Sequence, residues 1–159
     1  MSILSMLARK GMYYVAHPVL RAARRLLPQK ESARILLAYG NEVLLVRNIG
    51  VSRWSLPGGA FSKNETAEAC ALRELKEELS ITDAKMEYRL GTYHSHGEGL
   101  HNSVHIFVAQ ARSLHHKKDW EIDEARWFAL NDLPSNLSPA TARRIGEYKN
   151  NLRDVSSFW

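Results

Sequence analysis

Cysteine is nearly absent from this chain. Cys70 stands alone among 159 residues, which excludes an intrachain disulfide framework and fits a reducing compartment. No apolar run approaches the roughly 20 residues that span a bilayer. The first thirty residues are broken by Arg9, Lys10, Gly11, His17 and Pro18, so they also lack the continuous apolar core of a secretory signal. Acid is missing from that segment altogether. It holds six cations, Arg9, Lys10, Arg21, Arg24, Arg25 and Lys30, and no Asp or Glu. The whole chain carries 22 cations against 17 acids, a net of +5; setting the six aside leaves 16 against 17, a net of −1. The basic character therefore belongs to one arm, which excludes a nucleic-acid footprint spread over the whole surface. Internal repeats, low-complexity tracts and long linkers are missing too. The length suits one domain, and at this size burial alone folds a chain without a metal or disulfide staple.

The arm reads as amphipathic. Pro18 suits a helix start, after which Arg21, Arg24 and Arg25 share one face and Val19, Ala22, Ala23 and Leu26 the other, until Pro28 stops the pattern. Three readings stay open: a helix packed on the body, docking to an anionic membrane surface or a partner, and an organellar targeting segment. The expected location is the cytoplasm, with peripheral membrane attachment and organellar targeting as the alternatives.

From residue 31 onward, strand and helix signals alternate. Ala33 to Tyr39 and Val43 to Arg47 flank the turn pair Gly40-Asn41 and predict a hairpin. Gly50 to Gly59 reads as loop. Residues 66–79 read as a helix, Met86 to Tyr93 and Val104 to Ala111 as strands, and Ser95 to Ser103 as the loop between them. A short strand follows at Ala125 to Leu130, and Ser138-Pro139 opens a last helix running to about Asn150. The mixture predicts an α/β layered domain.

The helix over 66–79 carries the chemistry. At 100° per residue, Leu72, Leu75 and Leu79 form a core stripe, and Glu74, Glu77 and Glu78 crowd a neighbouring arc. Like charges at these spacings cost a few tenths of a kcal/mol per pair, a cost that a divalent cation reverses. A solvated acidic face is the plain alternative for such a triplet. The surroundings argue otherwise. Gly59, five residues, Glu65, seven residues, and then Arg73-Glu74-Leu75-Lys76-Glu77-Glu78-Leu79-Ser80-Ile81 resembles the signature box of the Nudix hydrolases. The match falls at Gly59, Glu65, Arg73, Glu74, Leu75, Glu77, Glu78 and Ile81. Trp54-Ser55-Leu56-Pro57-Gly58-Gly59 and Glu65-Thr66 are also similar to common family spelling. A weaker likeness runs from Ala33 to Pro134 and leaves the arm outside. One position departs: Ser80 stands where the family usually has glycine, at a helix end that often needs a left-handed backbone.

The resemblance implies an α/β/α sandwich with a mixed sheet over residues 31–159. It implies a hydrolase that cleaves the diphosphate bond of a nucleoside diphosphate linked to another moiety, using Mg²⁺ or Mn²⁺. Glu74, Glu77 and Glu78 would hold the metal, with the Gly59 carbonyl as a further ligand. Arg73 would orient the glutamates, and Glu65 would either brace the loop or bind metal. The residue that orients or deprotonates the attacking water falls to Glu74 or Glu77 within the box, or to Glu98, Glu121 or Glu124 outside it.

Substrate selection lies outside the box. Arg53 could meet a phosphate and Trp54 could stack on a base; anchoring the core beneath the loop is the other reading of Trp54. His94, His96, His101 and His105 complete no recognised zinc spacing. Substrate markers of the NADH-cleaving, ADP-ribose and diadenosine polyphosphate members are missing. The expected partner is a small nucleoside diphosphate derivative, without nucleic acid, and a homodimer is the assembly many family members adopt. Two alternatives remain: a non-catalytic Nudix-fold binding module tethered by the arm, and an RNA 5′-end or cap pyrophosphohydrolase.

Overall fold

The computed structural model describes residues 31–97 and 100–159, with the side chains of 95–97, 100 and 101 also undescribed. The arm over 1–30 and the candidate Glu98 therefore lie outside the described residues.

The first two strands, β1 (Glu31–Tyr39) and β2 (Glu42–Asn48), form the expected hairpin, with Gly40 at φ +57° in its turn. They pair only beside that turn, at Ala38↔Val43 and Tyr39↔Glu42. Beyond it the two strands part, and residues 54–60 enter the gap. Val46 and Ser55 exchange two backbone hydrogen bonds of 2.9 Å, and Ile35 N donates to Pro57 O at 3.0 Å. A three-residue strand, β3 (Gly58–Ala60), then pairs with β1 at residues 32–34. Part of the stretch expected to be loop is thus sheet. Its glycine, proline and serine content reads as loop, but a partner strand fixes its path.

Two strands, β4 (Lys85–Gly97) and β5 (Leu100–Gln110), form an antiparallel ribbon whose ladder runs out to Gly97↔Leu100. This corrects the expected loop over Ser95 to Ser103. Polar residues there suggested loop, but antiparallel ladder bonds need no apolar side chains, and two residues suffice to join such strands. After β6 (Ile122–Ala129), a last strand absent from the sequence reading, β7 (Val155–Phe158), adds parallel to β4. The order is β6-β2-β1-β5-β4-β7, with β3 beside β1. Because β1 and β5 run parallel, the sheet is mixed.

Alternation along β1 divides the core. Ala33, Ile35 and Leu37 face one side and Leu36 and Ala38 the other, all fully buried. Helix α1 (Ala67–Leu79) covers the first side through Cys70, Ala71, Leu75 and Leu79, whereas Leu72, expected in that stripe, is exposed because the buried face is turned toward Cys70 and Ala71. Helix α2 (Pro139–Lys149) covers the second through Ile145 and Tyr148. Ser138 caps its helix as the sequence predicts, accepting from Thr141 N at 3.2 Å, and Thr66, expected as the first residue of its helix, is instead the N-cap, accepting from Ala69 N at 3.2 Å. The result is a sheet between two helices, as expected.

Candidate active site

The box residues converge where β3 meets α1. A side chain at Gly58 is blocked by the β1 backbone, since a Cβ there would lie 2.7 Å from Arg34 Cα. A Cβ at Gly59 would lie 2.8 Å from Glu74 Oε2 and nearer still to the rest of that carboxylate. The glycine pair therefore lets the helix bring its carboxylates against the strand. Gly58 N donates to Glu78 Oε2 at 2.9 Å, which ties strand to helix.

Arg73 organises the other acids. Its Nε and Nη2 grip Glu65 at 2.8 and 3.0 Å, and its Nη1 reaches Glu74 Oε1 and Glu77 Oε2, both at 2.8 Å. Nη2 also donates to Ala60 O at 3.0 Å. A planar fork suits this task; a lysine could not serve five oxygens in fixed directions. Glu65 accepts from Ser62 N at 2.8 Å as well, and with Arg73 beside it the carboxyl is pulled down to about 2. Burial acts oppositely on the acids nearer the core. It pushes the Glu78 carboxyl up to about 7 and raises Glu74, and in each case the charge of Glu121 adds to the rise. Glu77 differs again, with its side chain 58% exposed.

Glu121 reaches this cluster because the segment before β6 is strapped to the helix end. Lys117 N donates to Leu79 O at 2.9 Å and Asp119 N to Glu78 O at 2.8 Å. Of the acids outside the box, Glu124 is engaged elsewhere, paired with Arg47 at 2.7 Å and with Arg126. Arg34 is the residue that sequence reasoning missed. Its Nη1 donates to Leu56 O at 2.7 Å, burial lowers its pKa, and the charges of Glu78 and Glu74 act on it. The signal was available: Arg34 is the one cation of β1 and stands between the apolar Ala33 and Ile35.

Other candidates lie apart. Trp54 is 5% exposed and belongs to the core on the α2 side, edge-on to Phe128 at 4.9 Å. Arg53 is exposed in the preceding loop. His94 meets Ser103 Oγ at 3.1 Å and His105 meets Thr92 Oγ1 at 3.2 Å. Cys70 is buried beside Arg73, and burial pushes its thiol up to about 11, which leaves it inert as a nucleophile.

Among the described residues, no three carboxylate, imidazole or thiol side chains surround one point as they stand. The donor chemistry nevertheless fits a hard divalent cation. Only oxygens are offered, Glu74 and Glu78 are disfavoured as neighbouring anions, and Gly59 leaves the approach free of a Cβ.

Comparison with known proteins places the chain in a family. The family model described as the NUDIX domain matches residues 28–148. A Bacillus subtilis (strain 168) relative named "Putative 8-oxo-dGTP diphosphatase" is 29% identical over 123 residues, 77% of this chain and 80% of its own. A Pseudomonas syringae relative named NAD-capped RNA hydrolase NudC is 31% identical over 129 residues, 76% of this chain; that match covers only 42% of the longer relative. The crystal structure of a NUDIX hydrolase from Nitrosomonas europaea superimposes with a TM-score of 0.72 at 19% identity, covering 84% of this chain and 80% of that one.

Proposed function

The chain belongs to the Nudix hydrolase family, whose members act on phosphorus-containing anhydrides, and from that premise we propose that it cleaves the diphosphate bond of a nucleoside diphosphate joined to another moiety. The observation that carries this reading is the Arg73 fork, which holds Glu65, Glu74 and Glu77 beside the glycine pair while Glu78 is fixed by Gly58 N. A binding module has no use for such crowded carboxylates, whose mutual repulsion costs stability.

Glu74, Glu77 and Glu78, with the Gly59 carbonyl, would hold Mg²⁺ or Mn²⁺. When bound, the cation neutralises charge building on the phosphoryl oxygens and lets a polyanion approach a patch of acids. Arg73 keeps the carboxylates in register. Glu74 or Glu77 orients the attacking water and takes its proton, with Glu121 as a third candidate at the same mouth. Arg53 on the exposed loop meets a phosphate, while burial in the core argues against Trp54 as a stacking residue.

The test is a panel of nucleoside diphosphate derivatives with Mg²⁺, comparing wild type with Glu77→Gln. Turnover in wild type and a loss of at least 100-fold in the variant is the expected result. Equal turnover in both, or none in either, overturns the assignment. A second reading, removal of nucleotide caps from RNA 5′ ends, draws on the likeness to the NudC relative. Because the chain spans under half of that protein's length, the panel includes a capped RNA alongside the free nucleotides. Faster turnover of the RNA, falling steeply with salt, favours that reading.

A further inference from the structure

We propose that Trp120 is a stacking platform for the nucleobase of the substrate, an inference that rests on the diphosphate-cleaving reading above and adds a specificity residue to it. Isolated apolar side chains on a surface are ordinary, so exposure alone argues nothing. Position does. Of the four tryptophans, Trp54 is buried in the core and Trp127 and Trp159 are half-buried, whereas Trp120 is 58% exposed.

Ile122 N donates to Asp119 O at 3.2 Å, closing a turn whose two corner residues are Trp120 and Glu121. The turn is pinned on three sides. Asp119 N holds the carbonyl of Glu78 at 2.8 Å, Glu121 O accepts from Ile49 N at 3.1 Å, and Lys118 Nζ donates to the carbonyls of Ile122 and Asp123 at 2.9 and 2.8 Å. One corner, Glu121, acts electrostatically on Glu74 and Glu78. The other corner leaves a large flat ring in water on the same anchored turn.

A ring on a backbone already ordered stacks with little entropy left to lose. The ligand it fits is planar and aromatic, and the diphosphate of the same molecule would lie over the glutamates next to it. Stacking reads a π-face without reading hydrogen-bond edges, so adenine, guanine and uracil should benefit alike. The position was hard to find in the sequence, because Lys-Lys-Asp-Trp resembles a polar turn.

The experiment uses the full chain as wild type, Trp120→Ala and Trp120→Phe. Turnover is measured on diphosphate derivatives carrying adenine, guanine or uracil, with an alkyl diphosphate lacking a base as comparison. Trp120→Ala should raise KM about tenfold for all three bases with kcat within twofold, and Trp120→Phe should recover most of that loss. The alkyl diphosphate should show no such rise. A second readout needs no turnover: with Mg²⁺ present, an added nucleoside diphosphate analogue whose bridging oxygen is replaced by methylene should quench tryptophan fluorescence in wild type, and the quench should vanish in Trp120→Phe. An unchanged KM in Trp120→Ala, an equal rise with the base-free substrate, or a quench that survives in Trp120→Phe overturns the platform. If wild type turns over nothing on the panel, the diphosphate-cleaving reading fails, and the quenching comparison alone decides the platform.

Discussion

Ser80 sits at φ +57°, ψ +25°, just past α1, in the left-handed region where the family's usual glycine would rest without strain. Its N–H still closes the helix by donating to the carbonyls of Leu75 and Lys76. The departure from the box therefore changes backbone energy and leaves every candidate ligand in place. Ser80→Gly should stabilise the protein by about 1 kcal/mol and raise Tm by roughly 2–4 °C, with turnover unchanged; a thermal melt beside an activity assay checks both. Glu78 predicts a pH dependence. Its carboxyl is raised to about 7 in the native state by burial, against about 4.5 when unfolded. Between those values the native state binds the proton and the unfolded state does not, so stability falls as pH rises through that window. The contribution is fully present below about pH 4.5, and about 3 kcal/mol of it is gone above pH 7. In chelator, urea unfolding at pH 5 and pH 8 should show this loss in wild type and not in Glu78→Gln. Equal slopes in the two proteins would contradict it.

At the scale of elements, the active site depends on a strand that a local reading does not find. β3 exists because β1 and β2 part beyond Ala38↔Val43 and leave a gap for residues 54–60. Its two glycines should respond differently to alanine. Gly58 lies at φ +136° with β1 backbone at van der Waals overlap, so Gly58→Ala should cost on the order of 2 kcal/mol of stability. At Gly59 the obstruction is the movable Glu74 side chain, so Gly59→Ala should fold with little loss and drop turnover at least tenfold by displacing that carboxylate from Arg73. Chemical denaturation paired with kinetics separates the two. The β1–β2 hairpin, α1 and α2 were legible because their signals are local: a Gly-Asn turn, the Ser138 cap, and 3.6-residue periodicity. β7 was not legible, since Val-Ser-Ser-Phe carries no pattern and its pairing comes from β4, about sixty residues away in sequence. The site divides in the same way. Glu65, Arg73, Glu74, Glu77 and Glu78 were readable through the resemblance to the Nudix box, whereas Arg34 and Glu121 reach the cluster only through sheet pairing and the strapped loop.

For the whole molecule, charge and chemistry are divided between two parts of the chain. Residues 31–159 are nearly neutral and include the acidic cluster, and the six cations of residues 1–30 fall almost entirely outside the NUDIX match that begins at residue 28. On the proposed reading, a polyanionic substrate would be drawn to the site by bound cation and by a few arginines, and the arm would serve a different need. No helix among the described residues is long and apolar enough to cross a membrane. Read as a helix, the sequence after Pro18 would place Arg21, Arg24 and Arg25 on one face, and each basic residue near an anionic leaflet is worth about 1 kcal/mol. Changing all three to Gln should therefore weaken binding to phosphatidylserine-containing vesicles by roughly 100-fold, while leaving kcat/KM on a soluble nucleotide unchanged. Cosedimentation across a salt series is the measurement, because charge-driven binding fades as the Debye length shrinks from about 10 Å at 0.1 M to about 3 Å at 1 M. Binding that survives the triple change, or that ignores salt, would mean that the apolar face of the arm holds the surface without the arginines.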